Sequence, residues 1–114
     1  MRVSALICFC TCPDAATAER IATALVEAHL AACVNILPGV RSIYRWQGAI
    51  ERADEVLLLV KTVPDQFDHL KARLLALHPY ELPELIAVET DLGHSDYLLW
   101  VAAQTRPDQT HRKD

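Results

Sequence analysis

The sequence predicts an α+β fold, a split βαβ sandwich of four antiparallel strands with two helices on one face and a short helix at the end. Three observations carry that reading. The hydrophobic pattern alternates as strand, helix, strand, strand, helix, strand. The stretch Cys33 to Thr62 reads as two long strands joined at Gln47-Gly48, where glycine supplies the positive φ of a tight reversal. The first and third strands are apolar on both parities, as strands buried on two sides are.

In chain order, Val3 to Cys12 is the first strand, with Val3, Ala5, Ile7 and Phe9 on one face and Leu6, Cys8, Cys10 and Cys12 on the other. Pro13 stops it, and Asp14 is placed to cap a helix of about eighteen residues, whose stripe is Ala18, Ile21, Ala22, Leu25, Val26 and Ala32. The hairpin follows, with a bend expected at Pro38-Gly39. Pro64 and Asp65 open a second helix with the stripe Phe67, Leu70, Leu74 and Leu77, and Pro79 ends it by excluding the residue before it from the α region. His78-Pro79-Tyr80-Glu81-Leu82-Pro83 is a shaped loop held by two prolines. Glu84 to Leu92 is the fourth strand, and Ser95 is placed to cap the last helix, which carries Tyr97, Trp100 and Val101 on one side. Residues 1–104 form one domain, and 105–114 a loose polar tail.

Each hairpin arm has roughly thirteen residues and would reach ~40 Å at ~3.3 Å per residue. A domain of this size has a radius of gyration of only about 13 Å. The hairpin must bend or overhang, and an overhanging apolar edge pairs with other copies of the chain. The uncovered sheet face leads to the same expectation. At about 25 cal/mol per Å², exposing ~600 Å² of it would forfeit ~15 kcal/mol, and a closed homo-oligomer is the economical cover.

The 114 residues are 52% hydrophobic and 23% charged, with a net charge of −4 at pH 7. That balance describes a globular chain and argues against nucleic-acid or anionic-membrane partners, which need a clustered positive field. The apolar start is too short to span a membrane and lacks a cleavage site, so the expected location is cytoplasmic, with four free thiols.

Cys8, Cys10 and Cys12 share one strand face. Their plainer role is that of small buried hydrophobes; the alternative is a soft or borderline ion held through Cys10 with His78 or Cys33. Successive same-face positions lie ~6.5 Å apart, farther than two sulfurs on one zinc. His29, His69, His94 and His111 are scattered and read as surface residues. Tyr44 and Trp46 alternate on the first hairpin arm, as interface anchors or, with Tyr80 of an adjoining subunit, as the wall of a ligand pocket. Glu51, Arg52, Asp54 and Glu55 read as a solvated edge that blocks further strand pairing.

Cys33, Asn35, Pro38, Ser42, Tyr44, Trp46 and Gly48, then Glu55, Lys61-Thr62, His78-Pro79-Tyr80 with Pro83-Glu84, and Tyr97-Leu98 with Trp100 together resemble the CutA family of divalent-cation tolerance proteins. The resemblance runs over about residues 5 to 103. It implies a ferredoxin-like fold, a homotrimer in which hairpins pair between subunits, and a cytoplasmic role tied to copper and other divalent metals, with no known reaction. It also implies Cys10 and His78 as metal ligands, and it adds Trp100 to Tyr44, Trp46 and Tyr80 as a candidate for a ligand site or trimer seam. Two positions depart from the pattern. Ala49 stands where the family commonly has Lys, and Leu77 precedes His78 where copper-binding members have a His pair. The competing reading is a signal regulator similar to the PII proteins, binding a small molecule between subunits. The lack of a basic, glycine-rich phosphate loop disfavours it. The place after the first strand, Thr11-Cys12-Pro13-Asp14, also lacks the arginine of an acylphosphatase loop and the Cys-x-x-Cys of a metallochaperone.

Overall fold

The computed structural model describes residues 4–106. Among them run β1 (Leu6–Cys12), α1 (Ala15–Glu27), β2 (Cys33–Trp46), β3 (Ala49–Thr62), a 3₁₀ turn (Pro64–Gln66), α2 (Phe67–Leu77), β4 (Ile86–Glu89) and α3 (Ser95–Gln104). The strands form one sheet in the order β2-β3-β1-β4, and every neighbouring pair is antiparallel.

The register fixes which side chains share a face. Cys8, Cys10 and Cys12 stand opposite Val60, Leu58 and Val56. This set packs with Ile21 and Leu25 of α1 and Leu70 and Leu74 of α2, which are fully buried. Both helices therefore cover one side of the sheet, and the cysteines sit in the middle of the core.

Asp14 caps α1 as expected, its side chain accepting the Thr17 N–H at 2.8 Å. The helix ends at Glu27, earlier than the stripe suggests. After it, His29 takes a left-handed backbone (φ 60°), and the N–H groups of Leu30 and Ala31 both turn back to the Leu25 carbonyl. Ala32 belongs instead to the approach to β2, its N–H bonded to the Lys61 carbonyl. No glycine marks this stop, so nothing in the local pattern announced it.

The hairpin turns at Gln47 (φ 49°) and Gly48 (φ 83°), two consecutive positive φ angles that match the right-handed strand twist. At Pro38-Gly39 the register shifts between Leu37 and Val40, a bulge in place of a sharp corner, with Gly39 at φ 81°. The chain is drawn out to 53 × 33 × 22 Å with a radius of gyration of 15.4 Å, more extended than the roughly 13 Å of a compact chain this long.

β4 is shorter than expected, four residues paired only with Leu6 to Phe9 of β1. Pro83 has no N–H to extend it backward, and Thr90 turns its N–H and hydroxyl onto the Ala5 carbonyl at its end. His94, not Ser95, occupies the cap position of α3, without a side-chain cap bond. α3 ends firmly: Thr105 is buried, its hydroxyl donates to the Val101 carbonyl at 2.9 Å, and its carbonyl accepts from Gln66 Nε2 at 2.7 Å. Thr105 is thus packed against the domain, contrary to the tail expected from residue 105; residues 107–114 lie outside the described part, as does Val3 of the expected first strand.

The second sheet face carries Ile7, Phe9, Leu57, Leu59, Ile86 and Val88. α3 meets one end of it, where Val101 packs with Ala5 and Ala32. Elsewhere it is open: Ile86 is 58% and Val88 49% exposed.

Because Gln47 holds a left-handed conformation without being glycine, Asn, which tolerates that region better, relieves strain there. Gln47→Asn is expected to stabilise the fold by about 0.5 kcal/mol, read as a higher denaturant midpoint. A lower midpoint would contradict the turn geometry.

Candidate functional site

Two sites lie back to back across β1. On the covered face, Cys10, Cys12 and His78 bring two sulfurs and an imidazole nitrogen within 4.8 Å of one another, all three residues buried. The thiols lean together rather than keeping the separation of their backbone positions. The loop prolines place the histidine: α2 stops at Leu77, and His78 has an extended backbone with its N–H still on the Leu74 carbonyl.

Both nitrogens of the His78 ring are occupied. Nδ1 accepts the Tyr80 backbone N–H at 3.2 Å, which leaves the proton on Nε2, donated to the Thr11 carbonyl at 2.8 Å. The same carbonyl receives a long contact from Cys10 Sγ at 3.7 Å. The thiols are not equivalent. The interaction between the two sulfurs holds the Cys12 thiol below its ordinary range against the opposing effect of burial, and the same interaction, with burial, pushes the Cys10 thiol well above it. Cys8, one step further along the strand face, is pushed up to about 11 by burial.

This donor set fits a soft or borderline ion, since thiolate and neutral imidazole are the ligands of Cu(I) and Zn(II). Cys12 can supply the thiolate. His78 can join only by releasing one backbone partner, and the bond it keeps would orient the ring, as hydrogen bonds behind metal-bound histidines do. Cys33 is not part of the group. It stands opposite Lys61 on the other face of the sheet, where it meets the Tyr97 hydroxyl. Cys12, which the sequence marked only as a core residue, takes its place.

On the open face, a cleft of about 700 Å³ lies between the bulged hairpin and the loop after His78. Tyr44, Trp46 and Tyr80 line it together within one chain, so an adjoining subunit is not needed to bring them together. Its floor is Glu55, only 8% exposed, whose Oε2 accepts the Tyr80 hydroxyl at 2.6 Å. Burial first, and the adjacent Glu55 carboxylate second, hold the Tyr80 phenol above its usual range. Glu84 also lines the cleft and accepts the Thr11 hydroxyl at 3.5 Å. Trp100 does not line it; it lies on α3 with its ring 5.7 Å from that of Tyr97.

Glu55 is the residue misplaced by reading Glu51 to Glu55 as one solvated edge. Glu51, Arg52 and Asp54 are exposed, but Glu55 is buried. The available signal was period two: Glu55 shares its face with Leu57 and Leu59, not with Asp54.

The fold and the two sites define a small α+β protein with a long hairpin, soft-ion donors behind its first strand and an acidic cleft in front. The chain is a member of the CutA family: the model of the CutA1 divalent ion tolerance protein matches residues 6–104. It is 52% identical over 95 residues to the divalent-cation tolerance protein CutA of Thermus thermophilus, covering 83% of this chain and 92% of that one. The solved structure of the divalent cation tolerance protein from Thermus thermophilus superposes with a TM-score of 0.88 at 48% identity, over 90% of this chain and 99% of that one. A structure described as the periplasmic divalent cation tolerance protein CutA of Archaeoglobus fulgidus gives 0.87 at 35% identity, over 90% and 99%.

The raised Cys8 pKa fixes the sign of one pH effect. A folded-state pKa above the unfolded value makes a contribution that is complete below about 9 and is lost as pH rises to about 11, because the unfolded thiol ionises first. Denaturant midpoints are expected to fall between pH 9 and 11, and Cys8→Ala to make that fall shallower. An unchanged slope in the variant would show that Cys8 is not buried as described.

Proposed function

We propose that this protein is a non-enzymatic, trimeric member of the divalent-cation tolerance family with a ferredoxin-like subunit, which binds copper or a similar soft or borderline ion through Cys10, Cys12 and His78. The observation that carries this reading is the convergence of two sulfurs and one imidazole within 4.8 Å. The names of the related proteins support the link to divalent cations, and the donor chemistry points to the soft end of that range. Leu77, where copper-binding members carry a second histidine, leaves Cys12 as the third donor.

The test is competition for Cu(I) and Zn(II) against a chromophoric chelator. Cys10→Ser, Cys12→Ser and His78→Ala are each expected to lower affinity at least tenfold, whereas Cys33→Ser leaves it unchanged. Equal affinities in all five proteins would sink the assignment.

Assembly is proposed from the open face. Leu37, Tyr44, Ile86 and Val88 on it are exposed at 38–58%, and Ile43 and Ile50 on the other side of the hairpin at 62% and 51%; apolar surface of this kind on an elongated chain calls for a partner copy. A cytoplasmic location is proposed from the free cysteines Cys8, Cys10, Cys12 and Cys33, which suit a reducing compartment, although the Archaeoglobus relative is described as periplasmic. Native mass spectrometry of protein from the cytosolic fraction is expected to give three chains, and Ile86→Glu to release monomers. A wild-type monomer, or its recovery only outside the cytosol, would refute the corresponding part.

A second reading, a regulator that binds a small molecule, is favoured by one observation: the cleft lined by Tyr44, Trp46 and Tyr80 over the buried Glu55 carboxylate.

A further inference from the structure

We infer that the cleft over Glu55 binds a small organic cation, an alkyl diamine or polyamine whose ammonium groups meet the Glu55 and Glu84 carboxylates while its methylenes lie against Tyr44 and Trp46. The inference rests on the small-molecule reading of the cleft and specifies the chemistry of its occupant.

The volume, about 700 Å³, lies within the usual range of roughly 300–1,000 Å³ for small-molecule sites. The polar lining decides the sign of the charge. Glu55, Glu81 and Glu84 contribute three carboxylates. The Tyr80 and Thr11 hydroxyls already direct their protons at Glu55 and Glu84, so both present lone pairs to a newcomer. Apart from Arg45, the lining sets against these three carboxylates only neutral donors, the Ser42 and Tyr44 hydroxyls and the Trp46 indole N–H, so a charged occupant must be a cation.

The nearby cations do not neutralise this lining. Arg45 borders the cleft, but it alternates to the opposite side of the hairpin from Tyr44 and Trp46, across from Ile50. Arg41 is paired outside with Asp54 at 3.3 Å. Both nitrogens of His78 are held by Thr11 and Tyr80. Glu55 is thus a buried carboxylate supported by a neutral phenol, a hydrogen bond without a countercharge, and burial of a charge is stabilised best by an opposite one.

The aromatic part selects the kind of cation. Tyr44 and Trp46 are two residues apart on one face of β2 and both line the cleft. Rings attract ammonium and alkylammonium groups through their negative faces and cover apolar chains equally well. A hard metal ion would gain nothing from them, and it demands six to eight oxygens. A phosphate-bearing ligand would meet three carboxylates, with Arg45, on the far side of the hairpin strand, as the one cation among the described lining residues.

The test is calorimetric titration of EDTA-treated full-length protein with 1,4-diaminobutane and spermidine, alongside 1,4-butanediol, succinate and ATP. Trp46 emission is followed in parallel in a Trp100→Phe background. Saturable binding of the diamine at least tenfold tighter than the diol is expected, with a change in Trp46 emission. Glu84→Gln, at an exposed position, is expected to weaken it about tenfold. Glu55→Gln, which keeps an acceptor for Tyr80 while removing the charge, should do the same. Asp54→Asn, a charge outside the cleft, should leave it unchanged. Equal binding of diol and diamine overturns the inference, as does an equal loss in Asp54→Asn and Glu84→Gln, which would reveal general attraction to an acidic protein. Succinate or ATP binding that shifts Trp46 while the diamine does not would overturn the organic-cation assignment but keep the cleft as a ligand site. If no probe binds at millimolar concentration, both fail.

Discussion

The constraint on which the rest depends is the two-sidedness of β1. It is an inner strand, flanked by β3 and β4, so each successive residue is committed to one face or the other. Cys8, Cys10 and Cys12 go to the helix-covered side, where no water reaches them. Thr11 goes to the opposite side and forms part of the cleft wall. A one-residue slip would exchange the two sets, moving thiols to the open face and a hydroxyl into the core under the helices, and the tight packing of α1 and α2 on the cysteine face prevents it.

The architecture was legible where the chain carries explicit signals. Gln47-Gly48 between alternating apolar arms could only be a hairpin, and Pro13-Asp14 and Pro64-Asp65 announced helix starts that the structure has. Pro79 announced the end of α2. The misreadings fall where a residue without a specialised side chain does a specialised job. His29 ends α1 in a conformation usually given to glycine, and His94 holds a cap position beside a better-suited Ser95. β4 ends just past Glu89, where the Thr90 N–H makes a last bond to the Ala5 carbonyl.

The sites were legible by residue type and not by grouping. Cys10 and His78, far apart in sequence, come together because the loop after α2 folds back onto β1. Cys33, which the chain places at the head of the neighbouring hairpin, points to the wrong face. Tyr44, Trp46 and Tyr80 line one cleft, and the loop, not a second subunit, brings them together. Such groupings depend on tertiary contacts between positions far apart in the chain, which no local period encodes. The family resemblance contained Glu55 and Glu84 among its marker residues, and the structure gives both a place in one cleft.

The hydrogen bonds of His78 bear on how sequences of this kind should be interpreted. Its ring joins the Thr11 carbonyl to the Tyr80 amide, fastening the loop to the sheet with no ion involved. Natural selection can therefore preserve a histidine here for the loop alone, in lineages that never capture a metal. Its recurrence among relatives would be poor evidence of metal chemistry, and a thiol at position 12 would be the more discriminating mark.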